Sequence, residues 1–97
     1  LPVAQDAPIL LQQNYPNPFT EGTYISFELD KPGKSKVSVL DVNGRTIRVL
    51  SDDSQLSTLH SLYWDGTDDS GKPVASGVCF YRLECSGFSQ MKRMVKM

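Results

Sequence analysis

From Thr23 onward apolar side chains recur at every second position, and no stretch of about ten residues shows them at helical spacing, so the chain is confined to sheet. Ile25, Phe27 and Leu29 alternate with Tyr24, Ser26 and Glu28, the pattern of a strand with one face on a core. A second strand is expected over residues 36–41, with Val37 and Val39 on one face. A third is expected over residues 45–50 with Ile47 and Val49 inward, and a fourth runs through His60, Leu62 and Trp64. The segment 77–85 is apolar on both faces, Cys79, Tyr81 and Leu83 opposite Val78 and Phe80, which places it in the centre of a sheet. Residues 88–97 form the last strand and tail.

Turn chemistry separates these runs. Lys31-Pro32-Gly33-Lys34 combines a fixed φ with a residue free to take positive φ. Val42-Asn43-Gly44-Arg45 carries Asn-Gly, the dipeptide of a two-residue type I′ hairpin turn. Residues 65–71 concentrate Asp and Gly, and Ser86-Gly87 precedes the final strand. The polar, acidic stretch 51–57 reads as a loop with room for a short edge strand. Residues 1–22 hold four of the six prolines and show no period, so they read as a linker running into an irregular extended approach to the sheet. Six or seven strands with turns every 8 to 12 residues predict an all-β fold, an immunoglobulin-like antiparallel sandwich of about seven strands, with a small closed barrel as the alternative.

Composition narrows function. Ninety-seven residues are enough for one domain with its own core. Ten basic residues against 11 acidic ones give a net charge of −1, so no overall field draws in nucleic acid or an anionic membrane. The longest apolar run, residues 78–81, is far below the roughly 18 residues of a membrane-spanning helix. One histidine, two cysteines and no phosphate loop or paired-histidine metal motif make an independent enzyme unexpected, and no cofactor is expected. Leu1 is neither an initiator methionine nor part of an export leader, so a piece of a longer protein is expected.

Individual residues are read against their plainest roles. Cys79 and Cys85 lie six positions apart on one strand, roughly 20 Å, too far for a disulfide, and on one sheet face they act as small apolar fillers. His60 has no Ser, Cys or second His at motif spacing and is expected as an ordinary strand residue. Asp65, Asp68 and Asp69 crowd one loop; calcium is one reading, and Asx turns that use the same carboxylates are the simpler one. Trp64 is expected as a core plug rather than a sugar-stacking platform, and no row of exposed aromatics is expected. Asn17-Pro18 and its neighbours supply rigid, turn-prone backbone: a recognition epitope is one reading, and a segment that crosses from linker to sheet and buries Tyr15 and Phe19 is the plainer one. Lys92, Arg93, Met94, Val95, Lys96 and Met97 form the one local basic bias: a lysine-protected edge strand, or a strand read by a receptor through strand addition.

Four blocks stand in one order: Leu11-Gln-Gln-Asn-Tyr-Pro-Asn-Pro-Phe19, Val39-Leu-Asp-Val-Asn-Gly-Arg45, Trp64-Asp-Gly-Thr-Asp-Asp-Ser-Gly71 and Ser76-Gly-Val-Cys-Phe-Tyr-Arg-Leu83. With the basic-apolar ending they resemble the type A C-terminal sorting domain of the type IX secretion system of Bacteroidetes, which is related to the Ig-like domain of flagellar hook-capping proteins. The residues that carry the resemblance are Asn14, Tyr15, Pro16, Asn17, Pro18, Phe19, Asp41, Gly44, Arg45, Trp64, Asp65, Gly66, Gly71 and Gly77. It implies a linker over 1–10 and an Ig-like sorting domain over 11–97 that labels a covalently linked upstream cargo. An outer-membrane translocon would recognise the label, and a sortase-like cysteine protease would then remove it. The cargo would pass the periplasm to the cell surface or the medium. Residues 92–97 would be the sorting signal. The sequence departs from the family pattern at Leu40 and Cys79, in the stretch 56–59, and at the C-terminus, which lacks a second aliphatic residue. Two other classes remain open: an accessory carbohydrate-binding or adhesion module, and a structural Ig-like scaffold.

Overall fold

Two antiparallel sheets face one another in the computed structural model, which describes residues 9–29, 33–56, 59–85 and 87–97. The elements are β1 (Ile9–Leu11), β2 (Thr23–Leu29), β3 (Gly33–Leu40), β4 (Thr46–Leu56), β5 (Leu59–Trp64), β6 (Gly77–Cys85) and β7 (Phe88–Lys96). One sheet has the order β1-β2-β5 and the other β4-β3-β6-β7, so the architecture is an Ig-like sandwich rather than a closed barrel. The core fills from both inner faces: Ile25 and Phe27 from β2, Val37 and Val39 from β3, Tyr81 and Leu83 from β6, with Trp64 and Met94. β6 is central, as its two apolar faces require, and Cys79 and Cys85 are buried on its core side.

The sequence reading needs correction in several places. Ile9 and Leu10 belong to β1, not to a linker ending at residue 10, because the short run Ile9–Leu11 pairs with Phe27 to Leu29 and buries Ile9 and Leu11. Three residues are too few for a visible period. Residues 1–8 of that linker, Lys31-Pro32 and Ser86 lie outside the described residues. The stretch expected as a loop after Leu50 continues β4 through Leu56, paired as Ser35↔Ser54 and Lys34↔Gln55. A polar sequence suits it because an edge strand needs only one hydrogen-bonded neighbour. Bulges between Ser35 and Leu40 change which β4 residues face inward, so Ile47 and Leu50 pack on the core where Ile47 and Val49 were expected.

The first hairpin turn also differs. The Gly44 N–H donates to the Asp41 carbonyl at 2.9 Å, and the Asp41 N–H donates to the Arg45 carbonyl at 2.9 Å. The loop therefore has three residues with Gly44 at the left-handed position (φ 84°), in place of a two-residue Asn-Gly turn. The Asp41 carboxylate decides this, accepting the N–H groups of Asn43 and Arg45 at 2.9 Å each.

Candidate functional site

The end of β7 is clasped by the segment that enters the fold before β2. The Val95 N–H donates to Asn17 Oδ1 at 3.0 Å, the Phe19 N–H donates to the Val95 carbonyl at 3.0 Å, and the Met97 N–H donates to the Phe19 carbonyl at 2.8 Å. Gln13 Nε2 donates to the Arg93 carbonyl at 2.8 Å. Residues 11–19 thus cross from one sheet, where Tyr15 pairs with Tyr24, to the other, where Phe19 bridges Lys96 in parallel. The peptide bonds before Pro16 and Pro18 are cis. Phe19 is buried, its ring edge-on to Trp64 at a centroid distance of 5.6 Å. Tyr15 is not buried: it is 78% exposed, because its pairing with Tyr24 turns the side chain to the outer face of the sheet.

The opposite edge of the same seam is closed by Gln90. Its amide receives the Leu11 N–H at 2.8 Å and donates to the Ile9 carbonyl at 3.1 Å, so one β7 side chain satisfies the free edge of β1. Between these contacts sits Tyr81, whose hydroxyl donates to the Gln12 carbonyl at 2.7 Å and accepts the Asn14 N–H at 2.8 Å. Desolvation pushes the Tyr81 phenol up to about 12, against the opposing pull of the Asn14 hydrogen bond. The buried Asn14 amide is satisfied in turn: Nδ2 donates to Thr23 Oγ1 at 3.0 Å and to the Pro16 carbonyl at 3.2 Å, and Oδ1 accepts from Gln13.

The residues of the Trp64-Asp65-Gly66 block reach the same place. Trp64 is fully buried, and its indole N–H donates to the Thr67 carbonyl at 2.8 Å. Gly66, at φ 81°, lies under the Lys96 stem; a Cβ there would come within 3.1 Å of Lys96 Cε. Lys96 also acts on the Cys79 thiol, which burial pushes up to about 11 while the lysine charge lowers it. A thiol so protonated is a poor nucleophile. Gly77 pairs with Lys96 and Leu40 with Phe80, so Asp41, Gly44 and Arg45 lie at this end of the sheet too. Asp41, Arg45, Gly77 and Cys79 line a cleft of about 600 Å³ there.

The acidic loop is built from turns. Asp65 Oδ1 accepts the Thr67 N–H at 3.1 Å, and the Thr67 hydroxyl holds this carboxyl below its ordinary range. Asp68 Oδ1 accepts the N–H groups of Ser70 and Lys72, while Asp69 Oδ1 accepts the Val49 N–H at 3.2 Å and lies 3.8 Å from Arg48 Nε. The three carboxylates face different partners, and among the described residues no group of three metal-ligating side chains converges. His60 sits on its strand with its ring 5.7 Å from Phe27.

Of residues 92–97, Arg93 and Met97 are exposed, Lys92, Val95 and Lys96 are half-buried, and Met94 is fully buried. Strand addition between Arg93 and Met97 is corrected by the clasp, because Asn17, Phe19 and Gln13 already hold those outward backbone groups. Sequence reasoning missed Gln13, Thr23, Tyr81 and Gln90 as members of this site. A signal existed for Tyr81 alone, since a tyrosine on the buried face of a central strand needs a partner for its hydroxyl.

A two-sheet Ig-like sandwich that clasps its own last strand, with local Asp-Gly turns at the same end, defines a class of β-domain. Residues 13–89 match the FlgD Ig-like domain, and the chain belongs to that family. Among solved structures, it is similar to latent PorU from Porphyromonas gingivalis (TM-score 0.73, 22% identity, 94% of this chain and 10% of that one). It is similar to PorZ of the same organism, described as an essential bacterial surface component of its type IX secretion system (TM-score 0.62, 21% identity, 96% and 12%). FlgD from Xanthomonas campestris, whose structure is described as giving insights into the hook capping essential for flagellar assembly, gives a TM-score of 0.61 at 18% identity (90% and 64%). The chain spans about a tenth of the PorU and PorZ chains, and these likenesses show the shared fold. No curated protein matches the sequence. No helix among the described residues is long and apolar enough to cross a membrane.

Proposed function

We propose that this chain is a non-catalytic sorting domain that directs an upstream cargo through a type IX secretion system to the cell surface or the medium. The observation that carries this reading is the convergence of Asn17, Phe19, Trp64 and Gly66 on the last five residues, which holds the C-terminus as a paired strand with Arg93 exposed and Lys96 half-buried. The fold shared with PorZ supports it. With the backbone edge from Arg93 to Met97 occupied, an outer-membrane translocon would read side chains: Arg93 and Met97 first, then the reachable parts of Lys92 and Lys96. A sortase-like protease would act on the delivered product.

Deleting residues 92–97 is a poor test, because it takes Met94 from the core. The sharper one replaces Lys92, Arg93 and Lys96 together with Gln in a reporter fusion. The expected outcome is a folded, protease-resistant fusion held in the periplasm, and unimpaired surface delivery would refute the assignment. The family match favours a second reading, a structural scaffold domain. Concentration-dependent assembly of the isolated chain in sedimentation velocity, unchanged by the triple substitution, would favour that reading.

A further inference from the structure

The outer face of the β1-β2-β5 sheet carries a feature that the sequence reading did not expect. Tyr15 pairs with Tyr24 and Tyr24 pairs with Tyr63, so three tyrosines stand side by side across three segments, about 10 Å from first to last at the usual strand spacing. They are 78%, 53% and 53% exposed. The Tyr24 and Tyr63 rings touch at a centroid distance of 5.0 Å, and Tyr63 is seated directly over Gly22, where any Cβ would strike its hydroxyl end. Tyr24 and Tyr63 are therefore held in place before any ligand arrives, and the backbone pair with Tyr24 sets Tyr15 beside them. The next outward row of the same face is Ser26 and Ser61, with hydroxyls 3.1 Å apart, followed by Glu28.

We infer that this tyrosine row is a binding site for a single uncharged polysaccharide chain. Sugar rings present an apolar C–H face edged with hydroxyls; the first suits the faces of tyrosine rings, and the second suits phenols, serine hydroxyls and a carboxylate. Charge selects against the competing occupants. Among the described outward positions of β1, β2 and β5 the one charged side chain is Glu28, so the face offers no cation to hold phosphate-bearing ligands, nucleic acid or anionic lipid headgroups. The 57° between the Tyr24 and Tyr63 ring planes also matters, because a flat crystalline surface cannot lie on both rings while one chain with successive rings turned can. Trp64, the aromatic first weighed for this role, is sealed in the core.

The test is affinity electrophoresis of the 97-residue chain in gels containing hydroxyethyl cellulose, dextran or galactomannan, each uncharged. Retardation by at least one is expected, with affinity falling about three- to tenfold in Tyr15→Ala and in Tyr24→Ala, the scale of one lost aromatic partner. Tyr15→Ala serves as the safeguard, since its exposed ring leaves the core intact, and thermal unfolding confirms the fold of each variant. Tyr24→Phe should keep most of the affinity. The Gln triple variant of Lys92, Arg93 and Lys96 should bind as the parent does, which separates this site from the sorting reading. Absence of retardation in all three gels overturns the inference, as does retardation indifferent to both tyrosines. Tyrosine-dependent self-association in sedimentation velocity would also overturn it and make the face an interface between copies.

Discussion

Two regions of this sandwich are held by opposite means. In the clasp around β7 the hydrogen bonds join residues 67 to 81 positions apart: Asn14 to Tyr81, Asn17 to Val95, Gln13 to Arg93, Gln90 to Ile9. In the two Asp-Gly turns the closing bonds span no more than four positions, although Asp68 and Asp69 of the second also bond Arg48, Ile47 and Val49 of β4. Asp41-Val-Asn-Gly-Arg45 and Asp68-Asp-Ser-Gly-Lys72 carry the same four contacts: the carboxylate accepts the third and fifth N–H, the glycine N–H donates to the Asp carbonyl, and the Asp N–H donates to the fifth carbonyl. The glycines have φ of 84° and 85°. The closing contacts of the turns come from their own residues, with the second turn also tied to β4, whereas the clasp exists once both sheets are assembled. Damage to the clasp should therefore be large and felt throughout, and damage to a turn small and local.

The largest effect is expected at Phe19. Phe19→Ala removes a buried ring packed on Trp64 and loosens the segment that covers Val95 and Met97, a loss of about 3–5 kcal/mol in urea unfolding. A loss under about 1 kcal/mol would mean that the clasp lies on a core that does not depend on it. Tyr81→Phe comes next. It strips the donor to the Gln12 carbonyl and the acceptor of the Asn14 N–H, a cost of about 1–3 kcal/mol. It also has a pH signature. The Tyr81 phenol is raised to about 12 and the Cys79 thiol to about 11, each above its ordinary value, so the stability each contributes is whole below pH 9 and is lost as pH rises through those values. Tyr81→Phe should remove the upper part of that alkaline loss, measured as melting temperature against pH.

The turns are tested by pairing them. Gly44→Ala and Gly71→Ala each force a side chain into the left-handed region with nothing within 4 Å to clash, so each should cost about 1–2 kcal/mol. The two losses should match within about 0.5 kcal/mol and add in the double variant. Unequal losses would break the equivalence of the turns.

The same contrast explains what could be read in advance. Alternation along Ile25, Phe27 and Leu29, or Cys79, Tyr81 and Leu83, is a property of neighbours, and the sandwich follows from it. The turn positions were legible for the same reason, although the form of the first was not. Asn-Gly pointed to a two-residue loop, and the Asp41 carboxylate, two residues before Asn43, changed its closure. The clasp could not be read locally: nothing around Gln90 says that its amide will meet Ile9, and nothing around Asn17 points to Val95. The block from Asn14 to Phe19 suggested a rigid crossing and, through its resemblance, importance, but not what it would hold. Tyr15 shows the limit from the other side, since its apolar ring suggested burial while a single backbone pair with Tyr24 turned it to solvent.

The smallest expected effect separates charge from geometry within one turn. The Asp41 carboxyl is held below its ordinary range, first by the Arg45 backbone N–H and also by the Asn43 N–H and the Arg45 charge. Stability linked to a depressed carboxyl is present above the ordinary carboxylate pKa and is lost as pH falls through the lowered value, so it fades below about pH 4. Asp41→Asn keeps an oxygen where the two N–H groups need it and removes only the charge. At pH 7 it should leave stability nearly unchanged, since an exposed ion pair with Arg45 contributes little, while flattening the acid side of the melting curve. Asp41→Ala removes the oxygen as well, leaves both donors to water, and should lower the melting temperature more than Asp41→Asn does at any pH above about 4. Equal losses for Asn and Ala would show that the carboxylate's charge, rather than its position, closes the turn.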